Sequence, residues 1–230
     1  MLMNNQDLGK RISIQVSLNG YSFKIEDGGK TSFSEWLPMD RVFSVPELQQ
    51  RYDKVTVSLL TPKTTLVPAS FFDPEKAREA LSEVARLDEG DVVEHFPVPS
   101  LDAEIVYSLS IGETFSRSIS RMTPDSSGIP SRVVPEMYCL LEDFGKISDY
   151  NRILASYGDS HLYLVIGQGQ NLLLSNVFDA PDFVSAQYFI FLAMKKLQLN
   201  PAMSAIYFRT PLSREEELSL YRYFNSVERI

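Results

Sequence analysis

Two glycine-containing segments hold the residues of this chain whose types and spacing could bind a ligand. The first is Asn19-Gly20, which joins two stretches of alternating apolar residues. The second is Gly167-Gln168-Gly169, between the apolar segments 161–166 and 171–179. Two glycines one residue apart let the backbone approach a ligand closely. Both segments also suit tight hairpin turns with no ligand, so the two interpretations stand side by side at this point.

The remaining reactive side chains are too dispersed to predict a catalytic or metal site. His95 and His161 lie in different halves of the chain, and we expect neither to be paired with a carboxylate. The single cysteine, Cys139, lies in the apolar segment MYCLLEDF, which predicts a buried and inert thiol. Two histidines and one cysteine do not have the spacing of a zinc site. The sequence also lacks a Gly-x-Ser-x-Gly nucleophile motif and a Walker phosphate-binding loop.

The segment 12–27 predicts a β-hairpin that would carry the first glycine turn. Apolar and polar residues alternate on both sides of Asn19-Gly20, as in strands with one packed face. Asn-Gly is the favoured two-residue turn because both central residues take positive φ. Folding the hairpin there sets Leu18 opposite Tyr21 and places the apolar side chains on one face.

Helices and strands alternate along the rest of the chain. The clearest helix starts are Asp73-Pro74 and Ser213, where a capping residue precedes a helical apolar pattern. The Pro-, Gly- and Ser-rich segment 122–130 predicts a linker. The predicted elements are a third strand at 31–36, helices at 44–52, 73–87, 131–144, 182–198 and 213–227, strands at 54–60, 103–109 and 205–209, and a second hairpin at 161–179.

The order of these elements repeats, which predicts a duplicated α/β fold. Hairpin, helix, strand and helix follow one another in the first half and again in the second. In this comparison the hairpin 12–27 corresponds to the hairpin 161–179. We therefore predict two lobes, each a mixed sheet with flanking helices, and two domains at residues 1–125 and 126–230.

Composition and charge exclude several classes of function. The 230 residues contain 22 basic and 30 acidic side chains, a net charge of −8, so the chain would repel nucleic acid. The most apolar segment, 183–194, contains polar residues and is too short to cross a bilayer, so we expect no membrane insertion. A single cysteine and an N-terminal sequence without a signal-peptide pattern predict the cytoplasm.

Beyond the order of elements, two segments resemble a bacterial family of uncharacterised proteins that has an actin-like ATPase fold. These are ISIQVSLNGYSFKIED near the start and the block from YNRILASYGDSHLYLVI to FRTPLSREEELSLYRYFNS. The resemblance covers most of the chain. It implies the duplicated, ribonuclease H-like fold of the actin and sugar-kinase superfamily, and it implies no established activity.

The resemblance also suggests where a ligand would bind. Catalytic members of the superfamily hold phosphates with the backbone amides of each hairpin turn, and hold magnesium through a carboxylate at or beside the turn. Neither predicted turn contains Asp or Glu. We therefore predict no catalytic residue, no metal ligand and no cofactor. The phosphate-loop positions that the resemblance implies are Asn19, Gly20, Gly167, Gln168 and Gly169.

These observations predict a non-catalytic interaction or scaffolding module, a pseudo-ATPase, with a protein partner. The final helix carries more aromatic residues, namely Tyr221, Tyr223 and Phe224, than one packed stripe needs, and they could form an interface. The alternative is a nucleotide-binding protein or ATPase with ATP and magnesium in a cleft between the lobes. Its acids would come from outside the turns, for example Asp27, Asp159 or Asp179.

Overall fold

The computed structural model describes residues 9–110 and 112–230. Strands and helices alternate through these ranges, with short 3-10 turns between several of them. The strands are β1 (Arg11–Val16), β2 (Tyr21–Asp27), β3 (Lys30–Phe33), β4 (Lys54–Leu59), β5 (Thr64–Pro68), β6 (Val93–Val98), β7 (Ala103–Ser108), β8 (Val133–Pro135), β9 (Asn151–Gly158), β10 (His161–Gln168), β11 (Asn171–Asp179), β12 (Ala205–Phe208) and β13 (Ser226–Arg229). The α-helices are α1 (Ala77–Ser82), α2 (Glu113–Met122), α3 (Glu136–Phe144), α4 (Phe183–Lys196) and α5 (Arg214–Tyr221).

The chain forms two compact units, each discontinuous in sequence. The described residues of the first unit are 9–59 and 112–134, and those of the second are 60–110 and 135–230. The predicted division into actin-like subdomains at 1–125 and 126–230 stays a prediction.

The first unit is built on a five-stranded mixed sheet in the order β3-β2-β1-β4-β8. Strand β1 lies antiparallel to β2 and parallel to β4. Ile12, Ile14 and Val16 of β1 are almost fully buried, since the alternating apolar side chains of a strand share one face. Helix α2 packs beside β4, and its Ile119 is wholly buried. A mixed sheet with a flanking helix is thereby confirmed for this unit.

The first hairpin is confirmed, but its predicted turn and register are wrong. Val16 pairs with Tyr21, and the tip consists of Leu18 and Asn19, one residue earlier than predicted. Neither Asn19 nor Gly20 has positive φ. Moving the tip by one residue moves the strand register by two, so the same side chains remain on the packed face. Leu18 is left at the tip, 51% exposed.

The second unit contains a five-stranded mixed sheet in the order β11-β10-β9-β12-β13. Strand β9 lies antiparallel to β10 and parallel to β12. Leu162 and Leu164 of β10 pack with residues of α4 and α5 in one apolar core. On the other face, Ser156 of β9 hydrogen-bonds Glu136 of α3. Helices therefore cover both faces of this sheet, as the α/β prediction requires.

Strand β9 falls in a segment for which no element is predicted from sequence. Residues 152–156 are all buried, so the strand lacks the polar alternation by which a strand is recognised in sequence. With β9 included, the sheet order β3-β2-β1-β4-β8 matches β11-β10-β9-β12-β13 position by position. The duplication is therefore present, but the hairpin 12–27 corresponds to β9–β10 and not, as predicted, to 161–179.

A three-stranded antiparallel sheet, β5-β7-β6, also belongs to the second unit. Helix α1 packs on it through Ala77 and Leu81, which meet Val106 of β7. Only β7 is predicted from sequence, because Pro68 ends β5 and Pro97 lies within β6, and proline is read as a loop residue.

Two predicted helices differ from the structure in the first half of the chain. Helix α1 ends at Ser82, short of the predicted limit at residue 87, and Val84 beyond its end is 64% exposed. At 44–52 the structure has the 3-10 turn Pro46–Gln49, and Ser44 donates its hydroxyl hydrogen to Arg41 O instead of capping a helix.

The last helix begins as predicted and ends early. Ser213, the predicted capping residue, forms a capping box with Glu216 at the start of α5. The helix stops at Tyr221, and Ser226 and Val227, the last two residues of the predicted helix, belong to β13 instead, with Val227 buried on the sheet. Helix α2 lies in a part of the chain for which no helix or strand is predicted from sequence.

Candidate functional site

The turn between β1 and β2 is closed by its own serine. The buried Ser17 hydroxyl accepts hydrogen bonds from the amides of Asn19 (3.2 Å) and Gly20 (3.0 Å), and it donates one to Gly20 O (3.1 Å). Ser17 N donates to the same carbonyl at 2.8 Å. The amides that a phosphate would need at this turn therefore already have an acceptor within the turn.

Gly20 is required by close packing of two backbone segments. A Cβ atom at this position would lie 2.5 Å from Leu37 O. Tyr21 and Leu37 exchange backbone hydrogen bonds of 2.9 and 2.8 Å, which hold the segments at this separation. The neighbouring chain thus accounts for the glycine without a ligand.

Gly167 is likewise explained by its neighbours. It lies near the end of β10, where the register with β11 shifts, as at a β-bulge. A Cβ atom there would lie 2.3 Å from the ring of Phe144 and 2.6 Å from Asn171 O. A side chain at this position would displace either the aromatic ring or the strand.

Gln168 and Gly169 are held by the segment that leads into β9. The Gln168 amide group donates to Asn151 Oδ1 at 3.2 Å. Gly169 has φ +59°, a conformation that favours glycine, and its amide donates to Tyr150 O at 2.8 Å. This turn corresponds in sheet order to the β2–β3 turn and not to the β1–β2 turn.

The counterpart of the β1–β2 turn is Asp159-Ser160. Both residues have positive φ, 51° and 60°, and they join the paired residues Gly158 and His161. This is the two-residue geometry predicted for Asn19-Gly20. A carboxylate therefore does lie in the second of the two equivalent turns, whereas the sequence predicts none in either turn. Recognising β9 in the sequence would have revealed it.

The other two acids considered for a metal lie in different places. Asp27 ends β2, about 20 Å along the strand from the Ser17–Gly20 turn, and its carboxylate is 3.6 Å from Lys10 Nζ. Asp179 pairs with His161 across the sheet, so it lies at the same end of β10 as Asp159. Within residues 9–110 and 112–230, no three or more His, Cys, Asp or Glu side chains form a group that could hold a metal.

Both histidines have carboxylate neighbours, contrary to the prediction. His95 Nδ1 lies 3.0 Å from Glu104 Oε2. His161 Nε2 lies 3.3 Å from Asp179 Oδ1, and its Nδ1 is 2.5 Å from Asp159 O. Sequence reasoning misses these pairs because each forms across neighbouring strands and not within one segment. One ring nitrogen of His161 contacts the β9–β10 turn and the other contacts the end of β11, so this side chain links the turn to the neighbouring strand.

A fully buried carboxylate begins α3. Glu136 Oε1 accepts hydrogen bonds from Ser156 Oγ at 2.7 Å and from Arg209 Nε at 2.8 Å. Arg209 also donates to Asp143, whose other oxygen is 2.6 Å from Lys146 Nζ. Burial alone would raise the pKa of Asp143, but the charges of Arg209 and Lys146 outweigh it and the pKa is lowered. This network fixes α3 on the sheet of the second unit.

A second buried carboxylate, Asp91, organises the loop before β6. Its oxygens accept from Lys63 Nζ at 2.5 Å, from Ser108 Oγ at 2.7 Å and from the Asp88 amide at 2.7 Å. Burial alone would raise the pKa of Asp91, but these donors outweigh it and lower the pKa to about 2. The arrangement is that of a structural carboxylate whose charge is matched inside the protein.

Two further sequence predictions concern Cys139 and the apolar helix α4. Cys139 is buried, as predicted. Helix α4, the most apolar helix, covers 14 residues, and no helix in the described part of the chain is long and apolar enough to cross a membrane.

Comparison with known proteins identifies relatives over the whole chain. Residues 3–227 match the family described as "Protein of unknown function (DUF3822)". Among solved structures, the chain is similar to a Bacteroides thetaiotaomicron protein with an actin-like ATPase fold and unknown function. The sequence identity is 17%, the TM-score is 0.68, and the match covers 100% of this chain and 94% of the other. No curated protein sequence matches this chain.

Two more distant structures have the same fold. The PilM-PilN type IV pilus biogenesis complex matches at 12% identity and a TM-score of 0.53, covering 96% of this chain and 88% of the other. The cytoplasmic domain of EpsL, an inner membrane component of the type II secretion system of Vibrio cholerae, matches at 12% identity and a TM-score of 0.50, covering 89% and 84%. The predicted duplicated actin-like ATPase fold is confirmed.

Proposed function

Since this chain belongs to the DUF3822 family of proteins of unknown function and has an actin-like ATPase fold, we propose that it is a non-catalytic interaction or scaffolding module. In this proposal the chain is a bacterial pseudo-ATPase that keeps the fold, binds a protein partner and needs no cofactor. The single cysteine supports a reducing compartment, and we propose the cytoplasm.

The observation that carries the proposal is the closed β1–β2 turn. Phosphate binding at such a turn depends on amides that point at the ligand. Here the Asn19 and Gly20 amides both donate to Ser17 Oγ, and the turn contains no carboxylate for a magnesium shell. A nucleotide would have to break these hydrogen bonds, and no carboxylate of this turn would support its magnesium ion.

The names of two structural neighbours support an assembly role. One is a complex of PilM with PilN, and the other is described as a component of a secretion system. Similarity at 12% identity shows the fold alone, so the assembly role of this chain is part of what we propose. The geometry of the Ser17 turn is independent of these names.

One observation favours the alternative, a nucleotide-binding protein or ATPase with ATP and magnesium. Asp159 lies in the turn equivalent to the β1–β2 turn, and Asp179 lies at the same end of that sheet. Carboxylates at this position could support a magnesium shell. In this second proposal Asp159 is the metal-supporting acid, and the Ser17 turn opens when nucleotide binds.

A thermal-unfolding titration with ATP and magnesium distinguishes the two proposals. A nucleotide at a hundredfold excess over its dissociation constant stabilises a binding protein by about 2.7 kcal/mol. We expect that adding ATP and magnesium does not raise the Tm of the wild type, of Ser17→Ala or of Asp159→Asn. An increase in the wild type that Asp159→Asn removes would support the ATPase alternative and contradict the non-catalytic proposal.

A further inference from the structure

Helix α4 carries an exposed apolar stripe. Val184 is 73% exposed and Tyr188 is 61% exposed. These residues and Lys195 are spaced i, i+4 and i+11, so they lie on one side of the helix. The buried side of the same helix, which includes Ala186 and Ile190, packs on the sheet. The exposed stripe therefore faces away from the core of its own unit, with the Tyr188 ring 5.4 Å from that of its neighbour Phe189.

Helix α5 carries a second stripe of the same kind. Glu215, Leu218 and Arg222 are spaced i, i+3 and i+7 and share one side of the helix. Arg222 follows α5 and still has helical backbone angles, φ −68° and ψ −19°. Leu218 is 53% exposed, whereas Leu220 is fully buried on the core side.

The two helices run side by side in the same direction. Gln187 Nε2 of α4 donates to Ser219 Oγ of α5 at 2.6 Å. Four residues further along the chain in each case, the ring of Phe191 in α4 is 4.8 Å from that of Tyr223, which lies two residues past the end of α5. Because the contacts advance together, the helices are parallel and their exposed sides form one surface. We call this surface the α4–α5 stripe, made of Val184, Tyr188, Lys195, Glu215, Leu218 and Arg222. Asp182 lies at its end, where it caps α4 by accepting a hydrogen bond from Ser185 N.

Charge is separated along the α4–α5 stripe. The exposed acids Asp182 and Glu215 lie at the N-terminal ends of the two helices, and the exposed bases Lys195 and Arg222 lie at the C-terminal ends. Asp182 and Lys195 are about 20 Å apart at about 1.5 Å per residue. Apolar side chains lie between the charged ends. The charges of this surface are therefore complementary to those of a second copy that runs in the opposite direction.

We propose that the α4–α5 stripe joins two copies of this chain as a two-fold dimer. The inference rests on the proposed interaction function and names its partner as a second copy. A two-fold axis across the helices lays α4 against α4 in the opposite direction, so Lys195 of each copy faces Asp182 of the other. The same axis brings Arg222 to Glu215 of the second copy and places Tyr188 near the axis. A parallel arrangement would instead bring acids against acids.

Sedimentation velocity of the full chain at micromolar concentration tests the dimer. We expect the wild type to sediment as a dimer, and Tyr188→Glu to raise the dissociation constant at least about tenfold, because it places two like charges at the apolar centre. Phe71→Glu is the matched control, since Phe71 is an 81% exposed aromatic residue of the same unit outside the stripe. It should leave the dimer unchanged. A monomeric wild type, or a dimer that Tyr188→Glu does not weaken, overturns the proposal.

A charge exchange tests the direction of packing. Glu215→Arg and Arg222→Glu should each weaken the dimer several-fold, roughly 2- to 10-fold, because each places like charges together. The double variant should return to within about twofold of the wild type, since the opposite charges then meet again. Glu215 and Arg222 are two helical turns apart in one copy, so such a rescue arises between copies. A double variant weaker than either single variant overturns the antiparallel arrangement.

Nucleotide binding measured on the same samples separates this inference from the proposed function. A dimer that binds ATP and magnesium, with binding lost in Asp159→Asn, retains the stripe and contradicts the non-catalytic proposal. A monomer that binds no nucleotide refutes the stripe and retains the non-catalytic proposal. A monomer that captures a different protein through Tyr188 also refutes the dimer and assigns the stripe to that protein.

Discussion

Ser17 is the residue that bears most directly on function, because its hydroxyl accepts hydrogen bonds from both backbone amides that a phosphate would need. Gly20 and Gly167 have equally local explanations in Leu37 O and the Phe144 ring. Glycine is required at these positions by neighbouring protein atoms. The residue types that suggest a ligand in the sequence are therefore accounted for by packing.

Ser17→Ala is expected to lower the free energy of unfolding by about 1–3 kcal/mol, because the amides of Asn19 and Gly20 lose their buried acceptor. Urea denaturation measures the change. Ser44→Ala is the control, since the Ser44 hydroxyl is exposed and donates to Arg41 O; we expect a change within about 0.5 kcal/mol. Equal effects of the two substitutions would contradict the role given to Ser17.

Gly167→Ala should destabilise the protein by about 1–3 kcal/mol, because its Cβ would overlap the Phe144 ring and Asn171 O. Chemical denaturation is again the measurement. Gly90→Ala is the matched control, since a Cβ there meets nothing within 4 Å and Gly90 does not have positive φ. If Gly167→Ala is as stable as the wild type, packing does not explain this glycine and the ligand interpretation regains support.

Asp91 predicts a loss of stability in acid. Its pKa is about 2 in the folded protein and 3.8 ordinarily, so the folded state binds this proton more weakly than the unfolded state. The resulting stabilisation, about 2 kcal/mol, is fully present above about pH 4 and is lost as the pH falls toward 2. Asp91→Asn should therefore lose about that amount at neutral pH and show a smaller further loss in acid.

Urea denaturation at about pH 7 and about pH 3 measures this dependence. Glu75→Gln, a change at an exposed acid on the 3-10 turn before α1, is the control. It should keep the acid sensitivity of the wild type. An Asp91→Asn variant that is as stable as the wild type at neutral pH would show that the Lys63, Ser108 and Asp88 contacts do not stabilise the folded state.

At the scale of elements, α3 depends on charges that lie far apart in sequence. Glu136→Gln should lower the free energy of unfolding by about 3–5 kcal/mol, because it leaves the buried Arg209 without its main partner. Lys146→Ala is the control, since the Lys146 side chain is 70% exposed, and we expect a loss of about 0–1 kcal/mol. Thermal and urea unfolding measure both variants. Similar losses in the two would contradict a specific role for the buried pair.

The sequence predicts elements well where their local pattern is complete. Alternation identifies β1 and β2, and the Ser213–Glu216 capping box identifies the start of α5. It fails for β9, because residues 152–156 are all buried and show no alternation. That single missing strand shifts the second hairpin by one strand and hides Asp159 as a turn residue. The buried pair Glu136 and Arg209 is also missed, because 73 residues separate its members.

At the scale of the whole molecule, the repeated sheet order establishes the duplicated actin-like fold. The fold could be predicted because it rests on the order of elements, which survives errors in register and helix limits. The geometry of the two turns could not be predicted to the same depth, because it depends on which amides and acids lie at each turn. One turn is closed by Ser17, and the equivalent turn carries Asp159.

Release of inorganic phosphate from ATP by the purified chain, with magnesium in excess, tests the central claim most directly. Asp159→Asn, purified in parallel, reports any contaminating ATPase. We predict that wild type and variant release phosphate at the same background rate. Phosphate release by the wild type that Asp159→Asn abolishes would contradict the account and establish an ATPase.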